Sequence, residues 1–188
     1  MHVPRIPIVL ALILAVVLGS AFTPASTAHA ADESSFWDRS QVQVGVGGTY
    51  HFWSATHAIV IPLTLLLDDN RYELGVFRMA DAQSYEDTYI HAMRQTATPY
   101  WGASASRRWQ LAGSRSWKLF FGFGASYKTH EDDLSASHWN FASQLGVRVA
   151  LKPRKVFLEA VIRHWSNAGI KLPNRGQDFA SLMLGVSL

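Results

Sequence analysis

The chain has 188 residues, no cysteine, and 17 Lys+Arg against 14 Asp+Glu. The length fits one domain, the lack of cysteine excludes disulfides, thiolate metal sites and a cysteine nucleophile, and so small a positive excess does not point to nucleic acid. Seven Trp, six Tyr and ten Phe suit the aromatic girdles of a membrane barrel and equally the core of a soluble sandwich, so periodicity must separate the two.

The chain opens on an export signal. Arg5 is the positive flank, Ile6 to Leu18 is an almost unbroken apolar run, and Ala28-His29-Ala30 is a small-x-small cleavage site. The run is short for a spanning helix, which argues against the rival reading, an uncleaved anchor. Residues 1–30 are therefore expected to be a cleaved signal peptide and 31–188 a single mature domain. Loss of Arg5 leaves sixteen Lys+Arg against fourteen Asp+Glu.

After the signal, no run reaches the length of a helical span; alternation with period two recurs instead. Eight strands are predicted. In the first, about 40–50, Val42, Val44 and Val46 alternate with Gln41, Gln43 and Gly45. The second, 56–67, is apolar on both faces and contains Pro62. The third, 71–80, sets Tyr72, Leu74 and Val76 against Arg71, Glu73 and Gly75. The fourth, 98–111, has the right length, but Arg107 falls on its apolar side. The fifth, 116–128, is the clearest: Trp117, Leu119, Phe121, Phe123, Ala125 and Tyr127 share one face, and the other is small or polar except for Phe120. The sixth (138–151), seventh (155–166) and eighth (177–188) repeat the scheme, with Asn140, Gln144, Arg148, Glu159, Arg163 and Ser181 opposite the apolar face.

Links around 68–70, 113–115 and 152–154 are short and turn-rich, whereas 81–97, 129–137 and 167–176 are longer and polar. Short and long links alternate, as in outer-membrane barrels. A soluble exported sandwich would alternate along its strands too. The export signal, the link lengths and a strand that ends the chain favour an all-β fold: an eight-stranded antiparallel transmembrane β-barrel of the bacterial outer membrane, although Leu188 is not the aromatic residue many such barrels end on. The small-or-polar face would then fill an interior too narrow for an open pore.

The stretch that carries chemistry is His164-Trp165-Ser166-Asn167-Ala168-Gly169, at the end of the seventh strand. Residues i and i+2 of a strand share a face, so His164 and Ser166 are neighbours with a spacing suited to base and nucleophile. Their parity is that of Val156, Leu158, Ala160 and Ile162, the lipid side. Asp178, the only acid after Glu159, has lipid-side parity on the eighth strand. Three polar groups converging on an apolar face fit a Ser-His-Asp triad, since an unpaired charge there is costly. They would also fit the edge where the strands leave the membrane. Asn167, Ala168 and Gly169 are the candidate oxyanion hole, or simply a turn that opens the loop.

The run from Arg163 to Asn174 (RHWSNAGIKLPN) resembles the signature of the lipid A 3-O-deacylase (PagL) family. That resemblance implies an eight-stranded outer-membrane barrel, with His164 as base and Ser166 as nucleophile of a serine esterase. It also implies lipid A of lipopolysaccharide as substrate, losing the 3-hydroxyacyl group from its 3-position. The family's third triad member is usually Glu. Asp178 stands there, and its arm is shorter by one C–C bond, about 1.5 Å.

Independently of the family, a periplasmic N-terminus makes odd strands run outward, so Ser166 would meet the outer leaflet, which points to an acyl ester among outer-membrane lipids. No metal or organic cofactor is implied: His51, His57, His91, His130 and His138 show no ligand spacing. Glu131-Asp132-Asp133 could attract a cation but reads better as a solvated acidic loop. Arg94, Lys171 and Arg175 lie in long loops, where they would meet lipid phosphates or simply face water. No nucleic-acid partner is expected, and a homo-oligomer cannot be inferred. The rival readings are a phospholipase or acyltransferase using the same Ser and His, and a non-enzymatic adhesion or structural barrel.

Overall fold

The computed structural model describes residues 39–50, 58–80, 85–86, 94–95, 99–132, 134–151, 155–174 and 176–188. The proposed signal peptide, His51, His57, His91, Asp133, the 152–154 turn and Arg175 lie outside them. Eight strands form: β1 (Gln41–Tyr50), β2 (Ile59–Leu67), β3 (Tyr72–Ala80), β4 (Tyr100–Gly113), β5 (Trp117–Lys128), β6 (Trp139–Ala150), β7 (Val156–Ser166) and β8 (Gln177–Ser187). Each pairs antiparallel with its sequence neighbours, and β8 returns to β1, from Gln41 opposite Ser187 to Tyr50 opposite Asp178, so the barrel is closed. Tyr85–Glu86 and Arg94–Gln95 form a separate two-stranded ladder.

Closure leaves no open edge, which is what lets a sheet cross a bilayer. Period-two patterning then sends one side chain out and the next in. In β7, Phe157, Glu159, Val161, Arg163 and Trp165 are buried inside, while Ala160, Ile162 and His164 are exposed on the wall. Exposed aromatics bracket that wall: Trp101 and Trp139 toward one end, Trp109 and Trp117 toward the other. Trp101 and Trp109 lie eight residues apart on β4. At about 3.4 Å per residue and a tilt of about 40°, that is roughly 20 Å of membrane depth, close to an apolar band of about 25 Å. Arg107, the misfit of the fourth strand, is on the lipid side as its parity requires. Its guanidinium lies over the Trp109 ring, 5.4 Å from the centroid, so the apolar stem crosses lipid while the charge reaches the girdle.

The interior is not only small and polar. Toward the end that carries 167–176, Trp165 packs edge-on against Phe77 and Phe179, with centroids 5.2 and 5.0 Å away, and beside Tyr100. Toward the other end lies an ion network. Glu159 Oε2 accepts from Arg108 Nη2 at 2.9 Å and from Arg148 Nη2 at 2.7 Å. Glu73 accepts from Arg108 Nη1 at 3.2 Å and from Arg163 Nη2 at 3.3 Å. Phe120, the sequence exception on the inner face, lies under the Arg108 guanidinium at 3.5 Å. The aromatic plug and the ion network occupy successive levels of the barrel interior.

Because Glu159 neutralises two buried arginines at once, Glu159→Gln should destabilise the barrel by about 3–5 kcal/mol. Lys118→Gln, outside any ion pair among the described residues, should stay within about 0.5 kcal/mol. Reversible urea unfolding in lipid vesicles measures both, and equal midpoints would refute the network's role.

Candidate active site

The site is built on the β7–β8 hairpin. His164 and Asp178 are direct cross-strand partners, and Ser143 of β6 stands opposite His164 on its other side. Side chains so paired stand about 5 Å apart. His164 Nδ1 lies 2.7 Å from Asp178 Oδ1. The carboxylate is mostly covered, at 14% exposed, and the imidazole is half open, at 47%. The contact fixes the ring and leaves Nε2 without a hydrogen bond among the described residues. Gly176 makes room for it: φ is +76° there, and a Cβ would collide with His164 Cε1.

Ser166 closes β7, two residues beyond His164 on the same face. Its hydroxyl is held by the loop that follows. Asn174 Nδ2 donates to Ser166 Oγ at 3.0 Å, and the Ala168 backbone N–H donates to it at 3.2 Å. No hydrogen bond joins Ser166 to His164 in this state. The loop turns sharply because its own side chains cap it: Gly169 N–H donates to Asn167 Oδ1 at 2.9 Å, and Asn167 Nδ2 donates to the Lys171 carbonyl at 2.8 Å. Positive φ at Ala168 (54°) and Gly169 (80°) completes the turn. Asn167 N–H is committed to Asn174 Oδ1 at 3.0 Å. Of the three backbone donors anticipated beside Ser166, only that of Ala168 points at the hydroxyl.

Asn174 and Ser143 were not singled out by the spacing. Asn174 lies eight residues after Ser166, beyond any strand period, and only the folded loop returns it. Ser143 had a legible signal, a polar residue between Phe141 and Leu145 on the lipid face. Asn174 is held from behind by residues 134–136. It bridges to Ser135, Ala136 N–H donates to the Pro173 carbonyl at 3.0 Å, and Gly176 N–H donates to Leu134 O at 3.1 Å. At the surface Lys171 Nζ meets Glu131 Oε2 at 2.6 Å and holds that carboxyl below its usual range. Lys171 and Glu131 are thus paired with each other. Among the described residues no cluster of side chains is suited to a metal ion.

A closed eight-stranded antiparallel barrel with an apolar outer wall, here carrying a hydrogen-bonded His–Asp pair near a serine, defines a class: outer-membrane β-barrels. The model of the family described as "Lipid A 3-O-deacylase (PagL)" matches residues 71–187, most of the barrel and the whole site. The chain belongs to that family, and it is accordingly a lipid A deacylase of the outer membrane. No curated protein matches it in sequence. Among solved structures, the outer membrane enzyme PagL is similar at 18% identity with a TM-score of 0.53, covering 79% of this chain and 99% of that one. Neisserial surface protein A is similar at 15% identity with a TM-score of 0.51, covering 79% and 96%. At those identities the likeness is one of fold, and the fold is that of outer-membrane barrels.

Gly176→Ala should push the His164 ring off Asp178 and strain a backbone that favours glycine, costing roughly 1–3 kcal/mol. The low-field proton resonance of the His164–Asp178 hydrogen bond reads the displacement. An unshifted resonance would show that Gly176 has no part in placing the ring.

Proposed function

We propose that the chain hydrolyses the 3-O-linked 3-hydroxyacyl ester of lipid A in the outer leaflet, through an acyl-enzyme on Ser166. The observation that carries this reading is the 2.7 Å contact between His164 Nδ1 and Asp178, set on the lipid face two residues from Ser166. A charged pair on a lipid-facing wall is costly to place, and this one stands two residues from a serine hydroxyl that the following loop holds in position.

In the first step Ser166 Oγ attacks the ester carbonyl as His164 Nε2 takes its proton. Asp178 holds the ring in the required tautomer and balances the imidazolium. A short rotation of the hydroxyl from Asn174 toward His164 begins the step. The carbonyl oxygen, now negative, lies beside Oγ, where Ala168 N–H and Asn174 Nδ2 already point. Asn167 and Gly169 shape that loop. The ester C–O bond then breaks, and His164 returns the proton to the departing sugar oxygen. Water, activated by His164, attacks the acyl-serine and releases the fatty acid. Below the site, Ala160, Ala180 and Gly47 form the floor of a shallow apolar groove flanked by Leu145, Ile162 and Leu182. An acyl chain lying there would bring its ester to Ser166.

Ser166→Ala and His164→Ala should each lower the deacylation rate roughly a thousandfold or more with the barrel intact. Asn174→Ala should cost about a hundredfold to a thousandfold through the lost oxyanion donor. Asp178→Asn should lose most activity, and Asp178→Glu should keep much of it. Mass spectrometry of lipid A incubated with each folded variant decides. Undiminished deacylation by Ser166→Ala removes the nucleophile, and release of fatty acid from phospholipid instead of lipid A reassigns the substrate.

A further inference from the structure

The two most exposed large apolar side chains among the described residues are not on the lipid-facing wall. They are Ile170 and Leu172, 82% and 78% exposed, against at most 61% for any wall residue. Both stand in the loop that begins directly above Ser166 and ends at Asn174.

That exposure is imposed by the fold. Lys171, between them, is bound to Glu131. The loop backbone is tied at Ile170 N–H to the Asn167 carbonyl at 3.1 Å, at the Lys171 carbonyl to Asn167 Nδ2, and at the Pro173 carbonyl to Ala136 N–H. The turn therefore presents two aliphatic side chains outward and cannot fold them inward without breaking these bonds. Beneath it lies the membrane wall: Phe141, directly opposite Ser166, and Trp139 are exposed aromatics, and below the polar row of Ser143, His164 and Asp178 the wall is apolar again at Ile162. An apolar turn continuous with a lipid-facing wall is covered most simply by the same solvent as the wall.

We infer that Ile170 and Leu172 are a membrane anchor: they insert among the acyl chains of the leaflet next to the site and hold the 167–174 loop at the level of the lipid esters. Ser166, Ala168 and Asn174 belong to that loop or its base, so its depth sets where in the leaflet an ester can be met. The insertion itself rests on the barrel's place in the membrane and not on the hydrolytic reading.

The chain has no cysteine, so single labels are available. Ile170→Cys, Leu172→Cys and, as an exposed control on the neighbouring loop, His130→Cys are each labelled with an environment-sensitive fluorophore. The mature chain is reconstituted into phosphatidylcholine vesicles whose acyl chains carry bromine at carbons 6 and 7. Labels at 170 and 172 should emit at shorter wavelength, be quenched severalfold more by bromolipid than the label at 130, and resist aqueous iodide. Iodide quenching equal to that at 130, with no bromolipid effect, overturns the anchor. Shielding that rises with protein density and persists without brominated chains also overturns it, in favour of a second copy of the chain.

A second arm uses Ile170→Ser/Leu172→Ser on lipid A in vesicles and on a short-chain soluble ester. The anchor predicts a KM for vesicle substrate raised about tenfold, with kcat and the soluble reaction unchanged. Loss of both reactions by the folded double variant, with the labels at 170 and 172 open to iodide, would mean that the pair shapes the site and anchors nothing. Bromolipid quenching in a chain without esterase activity would leave the anchor standing and remove the proposed function, so the two fail separately.

Discussion

The pairing of β8 with β1 is the constraint on which the rest depends. Ten residue pairs join the two ends of the described sheet, from Gln41 and Ser187 to Tyr50 and Asp178. Without them, β1 and β8 would offer rows of unpaired amides to hydrocarbon, where each costs several kcal/mol. With them, every strand has two neighbours, and the parity of each side chain is committed to lipid or lumen. A one-residue slip would turn Glu159 and Arg163 outward and Ile162 inward. The interior ion network therefore guards the register as well as filling space, because its five members, Glu73, Arg108, Arg148, Glu159 and Arg163, come from four strands.

The same closure explains why the polar row Ser143, His164 and Asp178 stands where it does. The lumen beneath is occupied by Trp165, Phe77 and Phe179, so no substrate could enter there. In the proposed reading the chemistry is done on the outer wall, and a charge on that wall is tolerable only near the end of the strands and only when paired. Direct cross-strand registration supplies the pairing. It also accounts for an aspartate where the family resemblance implies glutamate. With Asp178 directly opposite His164, the shorter arm still spans to Nδ1 at 2.7 Å.

Strand number, parity and the alternation of link lengths were legible in the sequence because a bilayer enforces period two on both faces. Eight anticipated segments became eight strands, and even Arg107 kept the side its parity assigned. What patterning could not show was content that depends on three-dimensional neighbours. Trp165 reads as one residue between His164 and Ser166, and nothing nearby tells that it meets Phe77, distant along the chain. Glu73 and Arg108 read as ordinary polar-face residues, and their pairing needs the curvature of the whole barrel. At the site, i,i+2 spacing and a lone acid placed His164, Ser166 and Asp178 together. Asn174 was invisible because its approach to Ser166 is set by a loop with no periodicity.

That loop joins two requirements that pull apart. Donors aimed at Ser166 must be rigid, and rigidity comes from Leu134, Ser135 and Ala136. Leu134 is buried, whereas Ile170 and Leu172 on the far side of the same turn are not. A rigid turn can have a packed back and an apolar front only if the front meets something other than water. The membrane supplies that medium immediately below, along a wall already committed to it. The turn that aims Ala168 and Asn174 at the hydroxyl is thus gripped from behind by protein and wetted in front by lipid, so the site's geometry and its depth in the leaflet are set by one short segment.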